Sequence, residues 1–464
     1  MKNIKRRQFY SGKTDFMGEE VPFEIQDYAV RLFVDSKIIH TLFYEEIGGG
    51  KIALTSQIKP LKINNLKCLT SDKRFHLSVY FKEDMYSATN IMSAGTSTLI
   101  IYYHHLIITD LQSANIGKHN YINIVSKNFY KFLGMVPNYK LEDINNTKFS
   151  INLNFPTKKM ETIIEYKGHI ITIFPHTQWT YNFSSLDYSP TLVFRFDSLM
   201  DEETIISFVD VWIKMFKYLF MRNNIHPDNI HLICGQTRSE LFIPHQIEEK
   251  DNIEDFNTLY SDSICWSDIY LHIPKLFEII CNDDLYMFHL KSSISERLSA
   301  GIFSASLDAA AFDSEFDKLY PNGLKHKEKR INAEKEVEAV IRPFFEASTG
   351  DKRKIYKKLL TKIKSETLCD KMEMAFEDNQ DCLKSLKKRF APSIDYREIS
   401  HLCAEFRNNV DHGNKSGRID NQLVCAFVML RGLVYSMQLR RCGVENNKID
   451  SIVYKLFNIK SVNS

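Results

Sequence analysis

The sequence predicts an α+β protein of two domains. The first is β-rich, sandwich- or barrel-like with one long helix; the second is an all-α helical bundle. Three observations carry this reading. Short runs rich in Ile, Val, Thr, Phe and Tyr recur between turn residues from about residue 20 to 275. The pattern stops at Cys281-Asn282-Asp283-Asp284. Beyond it apolar residues recur at the three- and four-residue spacing of helices. The boundary placed there gives domains 1–282 and 283–464, each long enough for its own core.

In the first part the spacing predicts strands at Ala29–Val34, Ile38–Tyr44, Ile52–Thr55, His76–Phe81, Ser97–Tyr103, Thr162–Tyr166, His169–Phe174 and Thr191–Phe196. Ile47-Gly48-Gly49-Gly50 reads as a hairpin turn, since no Gly-Lys-Ser/Thr follows it as a phosphate loop requires. One helix is expected from about Glu202 to Arg222, followed by Pro227 and a strand at Ile230–Cys234. His104 and His105 fall on a strand, so their rings should point to opposite faces. Trp179, Trp212 and Trp266 read as core aromatics, and no catalytic constellation emerges in this half.

In the second part helices are expected at about 285–319, 328–347, 351–366, 368–389, 395–412, 419–442 and 447–459. The stretch Leu423–Leu439 is apolar almost all round, so it reads as the central bundle helix; the run Val424–Met437 within it carries Arg431 and is too short to span a membrane. The run Ile205–Met221 is broken by Asp210, Lys214 and Lys217, which makes it amphipathic rather than membrane-spanning. A basic N-terminus is followed by no apolar signal core. The nine cysteines are scattered, with no Cys-x-x-Cys pair, and read as reduced thiols rather than disulfides or zinc ligands. The expected place is the cytoplasm, away from membranes. No cofactor or metal is expected.

Net charge is only +2, so no global basic field advertises nucleic acid. A local patch does: Lys352, Arg353, Lys354, Lys357 and Lys358 crowd one helix with a single acid, Asp351. This face can follow an RNA backbone, or it is simply a solvated helix surface.

The sharpest motif is Arg407-Asn408-Asn409-Val410-Asp411-His412, closed by Gly413. Asp395 and Glu398 have capping-box spacing, so a helix should start near Tyr396. Ile399, Leu402, Cys403, Phe406 and Val410 then share one face. An arginine forks onto phosphate, a histidine moves protons near neutral pH, and Asn408 can orient either. RNA supplies a phosphodiester beside a 2′-OH, so a base on the hydroxyl and a cation on the phosphate suffice for cleavage. On a regular helix His412 lies roughly 140° round from Arg407. The two converge only if the last turn changes or a second subunit contributes. The bland alternative pairs Arg407 with Asp411 at i, i+4. A loose search for the same spacing also finds Arg238 with His245, in a strand-like run.

A helical bundle with Arg407-Asn408-x-x-x-His412 resembles the HEPN superfamily of ribonucleases. Ser295-Glu296-Arg297 and Leu307-Asp308-Ala309 are similar in placement to the first helix of ApeA-like HEPN domains. The helix around Ile205–Met221 leading into Ile230–Cys234 resembles the ApeA N-terminal domain. The resemblance implies a metal-independent endoribonuclease that works as a homodimer through the HEPN domain, its two motifs facing one composite cleft. It also implies a toxin of bacterial anti-phage defence by abortive infection, answering a phage-derived trigger and cutting tRNA or another structured RNA. Arg407, Asn408 and His412 would be its catalytic residues. The alternative is a non-catalytic HEPN regulator that binds RNA or a nucleotide.

Overall fold

In the computed structural model the N-terminal strands bury alternate side chains, as a half-covered antiparallel sheet requires. Gly12, Thr14 and Phe16 point inward from Tyr10–Phe16, Val21, Phe23 and Ile25 from Glu19–Gln26, and Val30, Leu32 and Val34 from Ala29–Asp35. The apolar ones among them, Phe16 to Val34, meet Leu66, Leu77, Val79 and Leu99 in one cluster. Fully burying each such side chain contributes about 1.5–3 kcal/mol. Gly12 is required by close approach: a Cβ there would lie 2.0 Å from the Leu69 carbonyl oxygen of the neighbouring strand.

The structure describes residues 9–35, 38, 42, 44–46, 52–54, 64–81, 91–93, 96–110, 117–126, 129–134, 138–143, 149–154, 160–182, 185–244, 263–293, 295–323, 328–363, 366–411 and 419–457. Two compact units emerge, Met1–Asp210 with His226–Asn252, and Val211–Ile225 with Ile253–Ser464. The division falls within helix α1 (Glu202–Leu219), whereas the sequence reading drew its line at 282–283.

Among the described residues the first unit holds a fourteen-stranded antiparallel sheet. In spatial order it runs Thr162–Tyr166, His169–Asn182, Ser185–Asp201, Lys118–Val125, Asn229–Cys234, Thr237–Phe242, His105–Asp110, Phe75–Tyr80, Asn65–Thr70, Tyr10–Phe16, Glu19–Gln26, Ala29–Asp35, Thr96–Tyr102, Ile91–Ser93. Tyr44–Glu46 pairs separately with Ile52–Leu54, and Asn138–Asp143 with Phe149–Asn154. The glycine run at 47–50 lies outside the described residues. His104 and His105 do not diverge as expected. His104 precedes the strand, and the rings meet edge to face, 4.5 Å between centroids.

The second unit is helical: α2 (Ile273–Cys281), α3 (Ile302–Leu319), α4 (Glu328–Ala347), α5 (Gly350–Ile363), α6 (Leu368–Asp378), α7 (Lys384–Phe390), α8 (Tyr396–Asp411), α9 (Asn421–Arg441) and α10 (Asn446–Phe457). Helices α3, α6, α8 and α9 pack on one another, with α10 against α9. The hairpin α4–α5 is inserted between α3 and α6. Helix α9 is the central one, buried from Ala426 through Leu439. It is long and apolar enough to cross a membrane, but 83% of its apolar window is buried inside the protein. Gly432 lets α7 approach, since a Cβ there would meet the Leu386 methyl at 2.4 Å.

Three helix expectations are corrected. The helix expected from 285 begins only at Ile302, where the Gly301 N–H donates to Ser304 Oγ at 3.0 Å. Before it Leu285 and Leu290 are buried from irregular chain, which mimics helical periodicity. The helix expected over 368–389 breaks at Asn379, whose buried amide donates to the Ala375 carbonyl at 2.7 Å. Ile273–Cys281, which overlaps the end of the β-rich stretch and falls in the first of the two expected domains, is a helix with Pro274 in its first turn.

Candidate functional site

Helix α8 starts where Asp395 Oδ1 accepts from the Glu398 N–H at 2.7 Å. The capping box is half formed, because Glu398 Oε1 instead accepts from Gln422 Nε2 of α9 at 2.7 Å. Ile399, Cys403 and Phe406 are buried, with Leu402 and Val410 half-buried beside them. Phe406 packs edge to face on Phe427, and Tyr396 stacks on Phe376 of α6. This anchoring leaves Arg407, Asn408 and Asp411 on the wet side of the last turn.

There Arg407 Nε donates to Asp411 Oδ2 at 2.8 Å and Nη1 donates to Asn408 Oδ1 at 3.2 Å. Asp411 Oδ1 accepts from Ser306 Oγ of α3 at 2.9 Å. The guanidinium is therefore held on one side by its own helix, and the holder is pinned by a neighbour. Among the described residues its Nη2 makes no hydrogen bond. Asp313, two turns along α3 from Ser306, joins the same electrostatic neighbourhood. Burial raises its carboxyl above the usual range, opposed by Lys371 at 3.9 Å and by Arg407. Ser306 and Asp313 escaped the sequence reading; their seven-residue separation on one helix face was the available signal.

The pair found between Arg407 and Asp411 is the bland alternative of the sequence. It does not disable the arginine. The two side chains are 38% and 35% exposed, so their attraction is screened and worth no more than about 1 kcal/mol. An arriving phosphate, taken bidentately, can outbid it. His412, one residue beyond the described end of α8, lies outside the described residues, as do Gly413 and His245.

No family model, curated protein or solved structure matches the chain. Function must therefore be read from side-chain chemistry.

Lys352, Arg353, Lys354, Lys357 and Lys358 are all exposed on α5. Arg353 lies over the Phe345 ring, 5.0 Å from its centroid, and Lys354 pairs with Asp351 at 3.0 Å. Helix α5 packs on α4, whereas α8 packs on α3, α6 and α9, so these cations belong to a different part of the unit from Arg407.

Arg297 and Asp308 are fully buried. Arg431 Nε donates to Asp308 Oδ2 at 2.8 Å, and its Nη1 donates to the carbonyls of Arg297 and Ser299 at 2.7 Å each. Lys291 Nζ reaches Asp308 Oδ1 at 3.0 Å. Arg297 donates to the Leu456 and Phe220 carbonyls. These bonds tie α3, α9 and the chain before α3 together inside the helical unit.

The first unit has its own buried carboxylate, which sequence patterning did not single out. Glu202, 3% exposed at the start of α1, accepts from Lys67 Nζ, from Tyr80 OH at 2.8 Å and from Ser78 Oγ at 3.2 Å. Burial pushes its carboxyl up, but Lys67 and the two hydroxyls outweigh that and hold it low. His76 and His119 nearby are pushed down by burial and by Lys67.

Proposed function

We propose that the chain is a metal-independent endoribonuclease of the HEPN type, acting in anti-phage defence by abortive infection. On this reading α3, α6, α8 and α9 are the HEPN bundle. The sheet unit is an ApeA-like sensing module with a sandwich- or barrel-like sheet. The observation that carries the proposal is the half-exposed guanidinium of Arg407. It is braced by Asn408 and Asp411 on the last turn of α8, with the sequence running straight on into His412.

The chemistry follows from those groups. His412 takes the proton of a ribose 2′-OH as O2′ attacks the adjacent phosphorus. The O2′–P bond forms and the P–O5′ bond breaks. The departing O5′ takes a proton from an imidazolium, in a dimer the second copy of His412. Products are a 2′,3′-cyclic phosphate and a 5′-OH. Arg407 stabilises the negative charge that builds on the phosphoryl oxygens, Asn408 orients the guanidinium, and Asp411 is its positioning residue. The exposed cations of α5 supply a sequence-independent grip on RNA.

The test is induced expression of the wild-type chain beside His412→Ala, with total RNA inspected for new 2′,3′-cyclic phosphate ends. New ends and toxicity are expected from the wild type only, and cleavage by purified protein should persist in EDTA. A second reading, a non-catalytic RNA- or nucleotide-binding regulator, is favoured by the Arg407–Asp411 pair closing one edge of the arginine. It predicts RNA binding that His412→Ala leaves intact, with no new ends from either chain.

A further inference from the structure

The sheet unit carries a cavity that the ribonuclease reading does not use. Its volume is about 670 Å³, the size of a small-molecule site. Strand pairing builds its floor. Lys13 of Tyr10–Phe16 lies opposite Leu69 of Asn65–Thr70, and Leu69 lies opposite His76 of Phe75–Tyr80. Residues directly opposite share a face of the sheet, as do residues two apart along a strand. Asp15 and Lys67 therefore join this face, and Glu20 stands opposite Asp15. Lys73, in the turn after Asn65–Thr70, closes one corner beside His76, while Asp15 and Glu20 close the corner diagonal to it. Leu69, 39% exposed, lies between the corners.

Net charge does not choose a ligand, because three lysines face two acids. Hydrogen bonding does. The lining hydroxyls are spent: Thr14 Oγ1 donates to the Lys67 carbonyl at 2.7 Å, Thr70 Oγ1 to Asp72 Oδ1 at 2.6 Å and Ser71 Oγ to the Ser11 carbonyl at 3.2 Å. The ammonium groups are not spent. Each has three donors. Lys67 Nζ uses two, on Ser78 Oγ at 2.8 Å and on buried Glu202. Lys13 Nζ uses one, on Glu20 Oε1 at 2.6 Å. The Lys73 ammonium uses none among the described residues. Of the acids, Asp15 Oδ1 accepts from the Gly18 N–H at 3.2 Å and Glu20 Oε1 from Lys13, which leaves one oxygen open on each. Surplus N–H donors fit a group rich in acceptors and negative charge, which a phosphate is. The open carboxylate oxygens fit hydroxyl donors, which a sugar ring carries. Asp15 and His76 stand two strand spacings apart, ~10 Å, a gap that a phosphate joined to a sugar fills.

We infer that this cavity binds a phosphorylated sugar, free or within a nucleotide. Its phosphate takes the open donors of Lys73, Lys13 and Lys67 beside His76. Its hydroxyls donate to Asp15 and Glu20, and its apolar face lies on Leu69. The site belongs wholly to the sheet unit, whereas Arg407 belongs to the helical one. Lys67 joins the site to α1, because its ammonium also holds Glu202, the first residue of that helix.

The experiment is titration calorimetry of the full chain with ribose 5-phosphate, AMP, inorganic phosphate and ribose. Ribose 5-phosphate and AMP should bind saturably, with a Kd of roughly 10–500 μM. Inorganic phosphate and ribose should each bind at least about tenfold more weakly. AMP binding more than about threefold tighter than ribose 5-phosphate makes the ligand a nucleotide; equal or weaker binding makes it a free sugar phosphate. Lys73→Glu should weaken both by about a hundredfold, and Lys13→Ala by about threefold. Both lysines are exposed, and thermal melts check that each variant is folded. Lys67 is kept, because its loss would leave buried Glu202 without its counter-charge. No saturable binding of either sugar phosphate below about 5 mM, inorganic phosphate as tight as both, or indifference to Lys73→Glu would each overturn the inference. It does not rest on the ribonuclease reading: His412→Ala should bind AMP like wild type, and loss of binding in that variant would overturn the inference by moving the site to the helical unit.

Discussion

Two arginine–aspartate pairs in the helical unit are alike atom for atom. Arg431 Nε meets Asp308 Oδ2 at 2.8 Å, and Arg407 Nε meets Asp411 Oδ2 at 2.8 Å. The first is wholly buried and ties α9 to α3, whereas the second is more than a third exposed and lies within one turn of α8. Distance does not separate them; desolvation does. A buried charge that loses its partner has no water to replace it, so the partners are locked to each other. A surface charge can exchange its partner at small cost. The buried pair is scaffold, and the exposed pair can serve a ligand.

That contrast can be broken at several points. Asp308→Ala leaves Arg431 and Lys291 buried without a counter-charge and should cost about 3–5 kcal/mol, read from urea unfolding of the helical unit. Acid should act next. His289 is fully buried between Tyr286 and Tyr435, and burial pushes its imidazole down to about 4, against the pull of Asp308. Its folded value is below its unfolded value, so its contribution is complete above about pH 6.5. It is lost as pH falls toward 4, by about 3 kcal/mol in all. His289→Phe should flatten that part of the stability–pH profile. In the sheet unit Glu202→Gln keeps the shape but weakens charged hydrogen bonds from Lys67, Tyr80 and Ser78. A loss of about 1–3 kcal/mol is expected by the same unfolding assay. The smallest effect on stability belongs to Arg407→Ala, less than about 1 kcal/mol. A larger loss would place Arg407 with Arg431 as scaffold.

How far the sequence could be read follows the same physics. Thr162–Tyr166 matches its expected bounds because alternation, turn residues and local propensity agree there, and Glu328–Ala347 matches on periodicity and composition in spite of Pro343 inside it. Tyr396–Asp411 was legible from Asp395 and the buried face of Ile399, Cys403 and Phe406. Errors came where burial and local structure part company. Leu285 and Leu290 enter the core from irregular chain, and Gly301 with Ser304, the real helix start, was passed over. Pro274 suits the first turn of Ile273–Cys281, but so short a helix at the end of a strand-rich stretch shows little periodicity of its own. The pairing of Asp308 with Arg431, 123 residues apart, has no local signature, so the sequence shows Asp308 only as a member of the bundle's opening segment. Ser306 reaches Asp411 from 105 residues away for the same reason.

The most direct measurement is cleavage of a structured RNA by the purified chain in EDTA, with product ends mapped for wild type, Arg407→Ala and His412→Ala. Wild type should leave 2′,3′-cyclic phosphate and 5′-OH ends, and both variants should leave the RNA intact while melting within about 4 °C of wild type. Cleavage by His412→Ala at the wild-type rate, or cleavage by the wild type only when a divalent metal is supplied, would contradict the assignment of the motif.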